Sequence, residues 1–118
     1  MIQNPIERNL VATQNRAFSE VVQIQNPDGT PVALTGFSAK CQIRKNVESG
    51  VVFEMSTENG RIGIDAGSGT ITIQTLGSIT LPAQGRYVYD IMLYPTASVG
   101  LADTIQRGLF IIQKPVTI

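Results

Sequence analysis

Apolar residues in this chain recur at every second position, and that period excludes the helix as its building block. Phe37, Ala39, Cys41 and Ile43 alternate with Ser38, Lys40, Gln42 and Arg44, so one face is apolar and the other polar. The run Thr70-Ile71-Thr72-Ile73-Gln74-Thr75 repeats the pattern with β-branched residues, which suit a half-buried strand. From Arg86 to Leu93, Tyr87, Tyr89, Ile91 and Leu93 point inward, and Val88, Asp90 and Met92 outward. Two further strands are expected, from Ala17 to Ile24 and from Val51 to Met55, the latter aligning Val51, Phe53 and Met55. Thr104 to Gln113 sets Ile105, Leu109 and Ile111 on one face and Phe110 and Ile112 on the other, which predicts a strand covered on both sides.

Turn chemistry separates these runs. Asn26-Pro27-Asp28-Gly29-Thr30-Pro31 has a proline to preset φ and a glycine for the left-handed position. Thr35-Gly36, Glu58-Asn59-Gly60, Ala66-Gly67-Ser68-Gly69 and Tyr94-Pro95-Thr96 mark the other breaks. Helix signals reduce to one possible short turn over Gly77 to Leu81, before Pro82. The spacing predicts an all-β domain, antiparallel, of about seven or eight strands. Residues 1–16 read as an N-terminal arm or edge strand, and 17–118 as a single β-sandwich domain.

Composition narrows the chemistry. With 118 residues and 42% hydrophobic side chains, the chain can bury a core of its own. Lys plus Arg and Asp plus Glu are nine each, so no net field attracts nucleic acid or anionic lipid. Arg44-Lys45 reads as a solvated strand end. Charged residues are 15%, so Thr, Ser, Gln, Asn and Gly must cover much of the surface, as suits packing against other protein. No run approaches the roughly 20 apolar residues that span a bilayer. The segment from Met1 to Pro5 lacks the basic and apolar regions of a signal peptide, so synthesis in a cytoplasm is expected.

Catalysis is not expected. The chain has no histidine, hence no Ser-His or Cys-His nucleophile pair and no imidazole metal ligand. One cysteine, Cys41, allows no intramolecular disulfide, and its place in an alternating run makes it a small buried hydrophobe. Glu54 and Asp90 could face each other from neighbouring strands, but read as outward positions paired with Lys40, Arg44 or Arg86. The loop-like segment from Asn59 through Asp65 to Ser68 carries one acid, too few for calcium. Gly67-Ser68-Gly69 precedes a strand and reads as a tight turn, not a phosphate cradle. No metal and no cofactor is expected.

Leu81, Gly85, Tyr87 and Tyr89 form the most informative spacing. This arrangement resembles the tyrosine corner of immunoglobulin-like sandwiches, in which the tyrosine precedes a core cysteine by two. Tyr89 stands in the cysteine position, and no partner tryptophan exists. The resemblance implies an immunoglobulin-like antiparallel β-sandwich, with the Tyr87 hydroxyl bonded to backbone near the preceding corner. Gly85, Tyr87 and Tyr89 are therefore structural.

A wider order of motifs is also present. Asp28-Gly29-Thr30-Pro31-Val32-Ala33-Leu34-Thr35-Gly36 precedes an alternating strand ending in Ile43-Arg44. Gly69-Thr70-Ile71-Thr72-Ile73 follows, then Leu81, Gly85, Tyr87, Tyr89 and Asp90, then Gly108-Leu109-Phe110-Ile111-Ile112 and Val116-Thr117. Over roughly residues 18 to 118 this order resembles small bacteriophage virion proteins with an immunoglobulin-like sandwich, of the upper-baseplate N-terminal, decoration or tail-associated type. The resemblance implies a virion component made in the host cytoplasm: a capsid cement or decoration subunit, or a tail or baseplate component. Its partners would be capsid, neck or tail subunits and copies of itself, with no nucleic acid and no membrane. Contacts are expected from Met1 to Val11 (Ile2, Ile6, Leu10), from Tyr94 to Leu101 (Tyr94, Val99, Leu101) and from Pro115 to Ile118 (Val116, Ile118). The alternative is a module that recognises carbohydrate or a host receptor through loops at one end, for which Tyr94 is the aromatic candidate.

Overall fold

Each long alternating run becomes a strand in the computed structural model, which describes residues 6–75, 81–98, 100 and 102–115. Nine strands follow in chain order among the described residues: β1 (Ile6–Glu7), β2 (Leu10–Thr13), β3 (Phe18–Gln23), β4 (Phe37–Arg44), β5 (Val51–Ser56), β6 (Ile62–Asp65), β7 (Thr70–Thr75), β8 (Gly85–Pro95) and β9 (Asp103–Gln113). The larger sheet has the order β1-β9-β8-β4-β5, with β2 also on β9; the smaller is β3-β7-β6. All pairings are antiparallel except those of β1 and β2, which run parallel to β9. No helix among the described residues is long and apolar enough to cross a membrane.

The two sheets pack as an immunoglobulin-like sandwich. In that scheme β3, β7 and β6 take the places of strands B, E and D. Strands β9, β8, β4 and β5 take those of G, F, C and C′. Period-two alternation delivers the core from both sides. Ala39, Cys41 and Ile43 of β4 and Tyr87, Tyr89, Ile91 and Leu93 of β8 are buried against Val22, Ile62, Ile71 and Ile73 of the smaller sheet. Phe18 and Phe110 meet with ring centroids 5.2 Å apart, and Tyr89 stands edge-on to Phe110 at 6.0 Å.

Several expectations need correction. The segment around Asn59 to Ser68 is not all loop, because β6 occupies its middle. Four residues with a glycine among them carry too short a pattern to read alone, and the ladder to β7 supplies the order. Ile105 does not share a face with Leu109 and Ile111. The β8–β9 register skips it, with Ile91 opposite Gln106 and Met92 opposite Thr104, so this β-bulge turns both Ile105 and Gln106 inward. Beyond the bulge Phe110 and Ile112 face the core, while Leu109 and Ile111 are half-buried outside. Tyr94-Pro95 is not a break, since both residues belong to β8. Arg44 is not merely solvated: it is half-buried and donates to the Ser49 carbonyl at 2.7 Å and to Gln42 Oε1 at 3.1 Å. The possible turn over Gly77 to Leu81 falls mostly outside the described residues.

The glycine-rich turn between β6 and β7 has a steric cause. Gly69 has φ +65°, and a Cβ there would lie 2.7 Å from the Ile24 carbonyl oxygen and 2.9 Å from that of Val32. Those backbones converge because Ile24 N–H donates to Gly69 O at 2.8 Å and Val32 N–H to Ile24 O at 3.0 Å. The turn from Asn26 to Thr30 returns the chain for that contact, with Asp28 Oδ1 accepting from Thr30 N–H at 3.0 Å. Gly69→Ala combines a left-handed β-carbon with backbone overlap, so it should lower stability by about 2 kcal/mol or more in urea unfolding.

Candidate interaction surface and the network beneath it

The tyrosine corner forms as its spacing implies. Tyr87 is buried, and its hydroxyl donates to the Ala83 carbonyl four residues upstream at 2.6 Å. Lys45 Nζ lies over the Tyr87 ring, 4.8 Å from its centroid, near Gly85.

Tyr89 does more than fill space. Its hydroxyl donates to the Arg8 carbonyl at 2.7 Å and accepts from Gln106 Nε2 at 2.9 Å. The same amide is 3.3 Å from Glu20 Oε2, which Arg8 Nε meets at 2.9 Å. Strands place three of these residues, Glu20 by β3, Tyr89 by β8 and Gln106 by the bulge in β9, and Arg8 sits in the break between β1 and β2. Gly108 is required at this crossing, because a Cβ there would overlap the Arg8 carbonyl. Asn9 Oδ1 then accepts from Leu109 N–H at 3.1 Å. The network ties the first strands to both sheets. Glu20 and Gln106 escaped the sequence reading. A signal existed for Glu20, whose position is in inward phase with Phe18 and Val22.

The outer face of the larger sheet is the candidate surface. Val11 lies beside Ile111, and Leu109 beside Val88, by ladder register. Val47, in the loop after β4, joins Val88 and Leu109 around an adjoining hollow. These residues form an apolar stripe in which Val11 and Val47 are exposed and the rest half-buried. Next to it lies an open depression of about 230 Å³, lined by Gln42, Arg44, Val47, Val88, Asp90 and Arg107 with part of Tyr89.

Charge here is committed rather than convergent. Arg107 Nε pairs with Glu7 at 2.9 Å, and Arg44 is held by Ser49 and Gln42. Glu54 and Asp90 do not face each other: both are in register with Gln42, from opposite sides, and Gln42 Nε2 bonds Glu54 Oε1 at 3.3 Å. Burial raises the Asp90 carboxyl above its ordinary value, and the Arg44 charge opposes that rise. Among the described residues no group of three or more His, Cys, Asp or Glu could hold a metal ion. Cys41 is fully buried, and burial, then the charges of Asp90 and Glu54, push its thiol far up, so it presents no thiolate.

The expected contact residues scatter. Ile6 is 39% exposed on β1. Leu10 is buried beside Phe110 and belongs to the core, not to a free arm. Tyr94 is 2% exposed on β8, with Lys40 Nζ 5.3 Å from its ring centroid and no hydrogen-bond partner for its hydroxyl. Its ring therefore offers no platform to a ligand. Ile2, Val99, Leu101, Val116 and Ile118 lie outside the described residues.

No family model matches the chain, and no curated protein matches it. Among solved structures, extracellular domains 3–5 of Drosophila OTK are similar at 14% identity and TM-score 0.35. That alignment covers 93% of this chain and 34% of the other, so the chain spans about a third of that structure. Murine CRIg is similar at 12% identity and TM-score 0.39, over 98% of this chain and 97% of that one.

Two variants test the geometry. Tyr89→Phe leaves the Gln106 amide and the Arg8 carbonyl short of a partner and should cost about 1–3 kcal/mol. Burial raises the Tyr89 phenol from 10.0 to about 12, so its contribution is complete below pH 10 and fades between pH 10 and about 12. Alkaline unfolding curves should lose that part of their slope in Tyr89→Phe. For Asp90 the raised carboxyl means the fold favours the protonated acid, so its charge opposes folding at neutral pH. Asp90→Asn should therefore keep or raise the neutral-pH melting temperature, with the difference shrinking as pH falls toward 3.8.

Proposed function

We propose that this chain is a non-enzymatic structural module that packs against neighbouring protein subunits, as a component of a bacteriophage particle. The observation that carries the packing role is the stripe of Val11, Ile111, Leu109, Val88 and Val47, laid over the outer face of three strands and a loop. A flat apolar band rimmed by charges that already have partners suits protein contact, which needs a dry centre and a polar rim. Among the described residues of that face, Glu54 and Asp90 are held apart by the strand of Gln42, and Cys41 lies on the opposite, inner face.

The motif order from Asp28 to Thr117 supports the narrower reading of a capsid cement or decoration subunit, or a tail or baseplate component. Its partners would be capsid, neck or tail subunits and other copies, and its location the virion after synthesis in the host cytoplasm. Recognition of carbohydrate or a receptor loses its one aromatic candidate, because Tyr94 is buried.

Leu109→Asp puts a charge in the middle of the stripe without touching the core. It should lower incorporation into particles by about tenfold or more, with the circular dichroism spectrum unchanged. Full incorporation of the variant, or a wild-type chain that is absent from particles and binds a glycan array as a soluble monomer, overturns the reading.

A further inference from the structure

A sheet edge presents unpaired backbone groups, and folded chains blunt such edges with short strands, bulges, proline or lysine. Three of the four sheet edges among the described residues are blunted. Strand β5 is bulged, because Ile43 pairs with Phe53 and Arg44 with Val51, which leaves Val52 out of register. Strand β6 has four residues, including Gly63. Strands β1 and β2 are two short pieces interrupted at Arg8 and Asn9.

The fourth edge, β3, lacks those devices. Its six residues run in unbroken register with β7, from Phe18 opposite Thr75 to Gln23 opposite Thr70. It contains no proline and no lysine. Its one charge, Glu20, is held by Arg8 and Gln106. Ile24 N–H donates to Gly69 O on the β7 side. By antiparallel alternation, Phe18, Glu20 and Val22 also bond toward β7, while Ser19, Val21 and Gln23 turn their N–H and C=O groups to the open side. Among the described residues nothing pairs with that side.

The side chains along the edge favour a particular partner. Ser19, Val21 and Gln23 are exposed and uncharged, and their neighbours Gln74, Thr72 and Thr70 on β7 are uncharged too. Val21, at the middle of the strand, is 59% exposed. A two-fold axis beside Val21 would set Val21 against its counterpart in a second copy, and Ser19 against Gln23. Each such pair exchanges both of its backbone bonds. Glu20 would then stand opposite Val22 of the other copy, so no like charges meet. The chain carries no net charge, so long-range repulsion between copies is absent as well.

We infer that the edge of β3 is a self-pairing site: two copies of this chain join β3 to β3, antiparallel about Val21, into one continuous sheet across both molecules. The site lies on the smaller sheet, away from the apolar stripe. It deepens the subunit-packing role proposed above and rests on that reading for its class of partner.

Sedimentation of the full chain tests it. The wild type should be a dimer. Val21→Lys, at an exposed position whose N–H the internal ladder does not use, should weaken dimerisation by about tenfold or more while leaving the unfolding midpoint in place at dilutions where both proteins are monomeric. Val21→Cys should give a covalent dimer under mild oxidation, and Val52→Cys on the bulged edge should not; Cys41 is buried and does not compete. A wild-type monomer at all accessible concentrations overturns the inference, as does a dimer that Val21→Lys leaves intact. A dimer that forms only after deletion of residues 1–5 also overturns it, because the chain's own start would then cover the edge. Incorporation of Leu109→Asp into particles reads the subunit-packing role separately, so failure of one is distinguishable from failure of the other.

Discussion

The sandwich is closed across its middle by packed side chains and without a disulfide. Immunoglobulin-like domains of the antibody type place a disulfide there, and such a bond typically contributes about 2–4 kcal/mol. Here Tyr89 stands on β8 in that place, and Cys41 is a free thiol on the neighbouring strand. The Tyr89, Phe110 and Phe18 rings bridge the sheets, and aromatic pairs of this kind add about 0.5–1.5 kcal/mol each beyond their burial. The position of the Tyr89 hydroxyl, and with it the first strands, depends on that contact. It fixes the separation of the sheets and therefore the depth at which the Tyr89 hydroxyl meets its partners.

That hydroxyl links the core to the start of the chain. The Arg8 carbonyl accepts its proton at 2.7 Å, and the Gln106 amide returns a bond at 2.9 Å. Glu20 is acceptable in its inward phase only because Arg8 and Gln106 satisfy it. Short parallel strands such as β1 and β2 would be weak by themselves. Anchored by Tyr89 on one side and by Asn9 on Leu109 on the other, they extend the larger sheet and carry Val11 to its outer face.

The polar groups thus divide by role. The inner network is paired throughout and holds the fold. The outer face keeps Asp90 half-buried near Arg44, an arrangement that opposes stability at neutral pH. The two sheets also differ in character. The larger carries mixed charge around an apolar stripe, whereas the strands β3 and β7 of the smaller are clothed outside in Ser, Val, Thr and Gln.

Local chemistry was enough for much of this. Alternation in β4, β7 and β8 announced strands and faces, because side chains of an extended chain must alternate. The turn at Asn26 to Thr30 and the Tyr87 corner were legible because their hydrogen bonds close within four residues. What spans the sheet was not legible. The bulge that buries Gln106, the ladder that makes β6 a strand, and the burial of Tyr94 arise from partners distant in sequence. The Arg8–Glu20–Gln106–Tyr89 network joins four separate strand regions, and only the inward phase of Glu20 marks it locally. So the sequence alone determined an all-β chain and the inward faces of its regular strands β4, β7 and β8. Only the tertiary structure decided which polar residues are buried, which edge is unpaired among the described residues and where the outer stripe assembles, because those depend on register between strands.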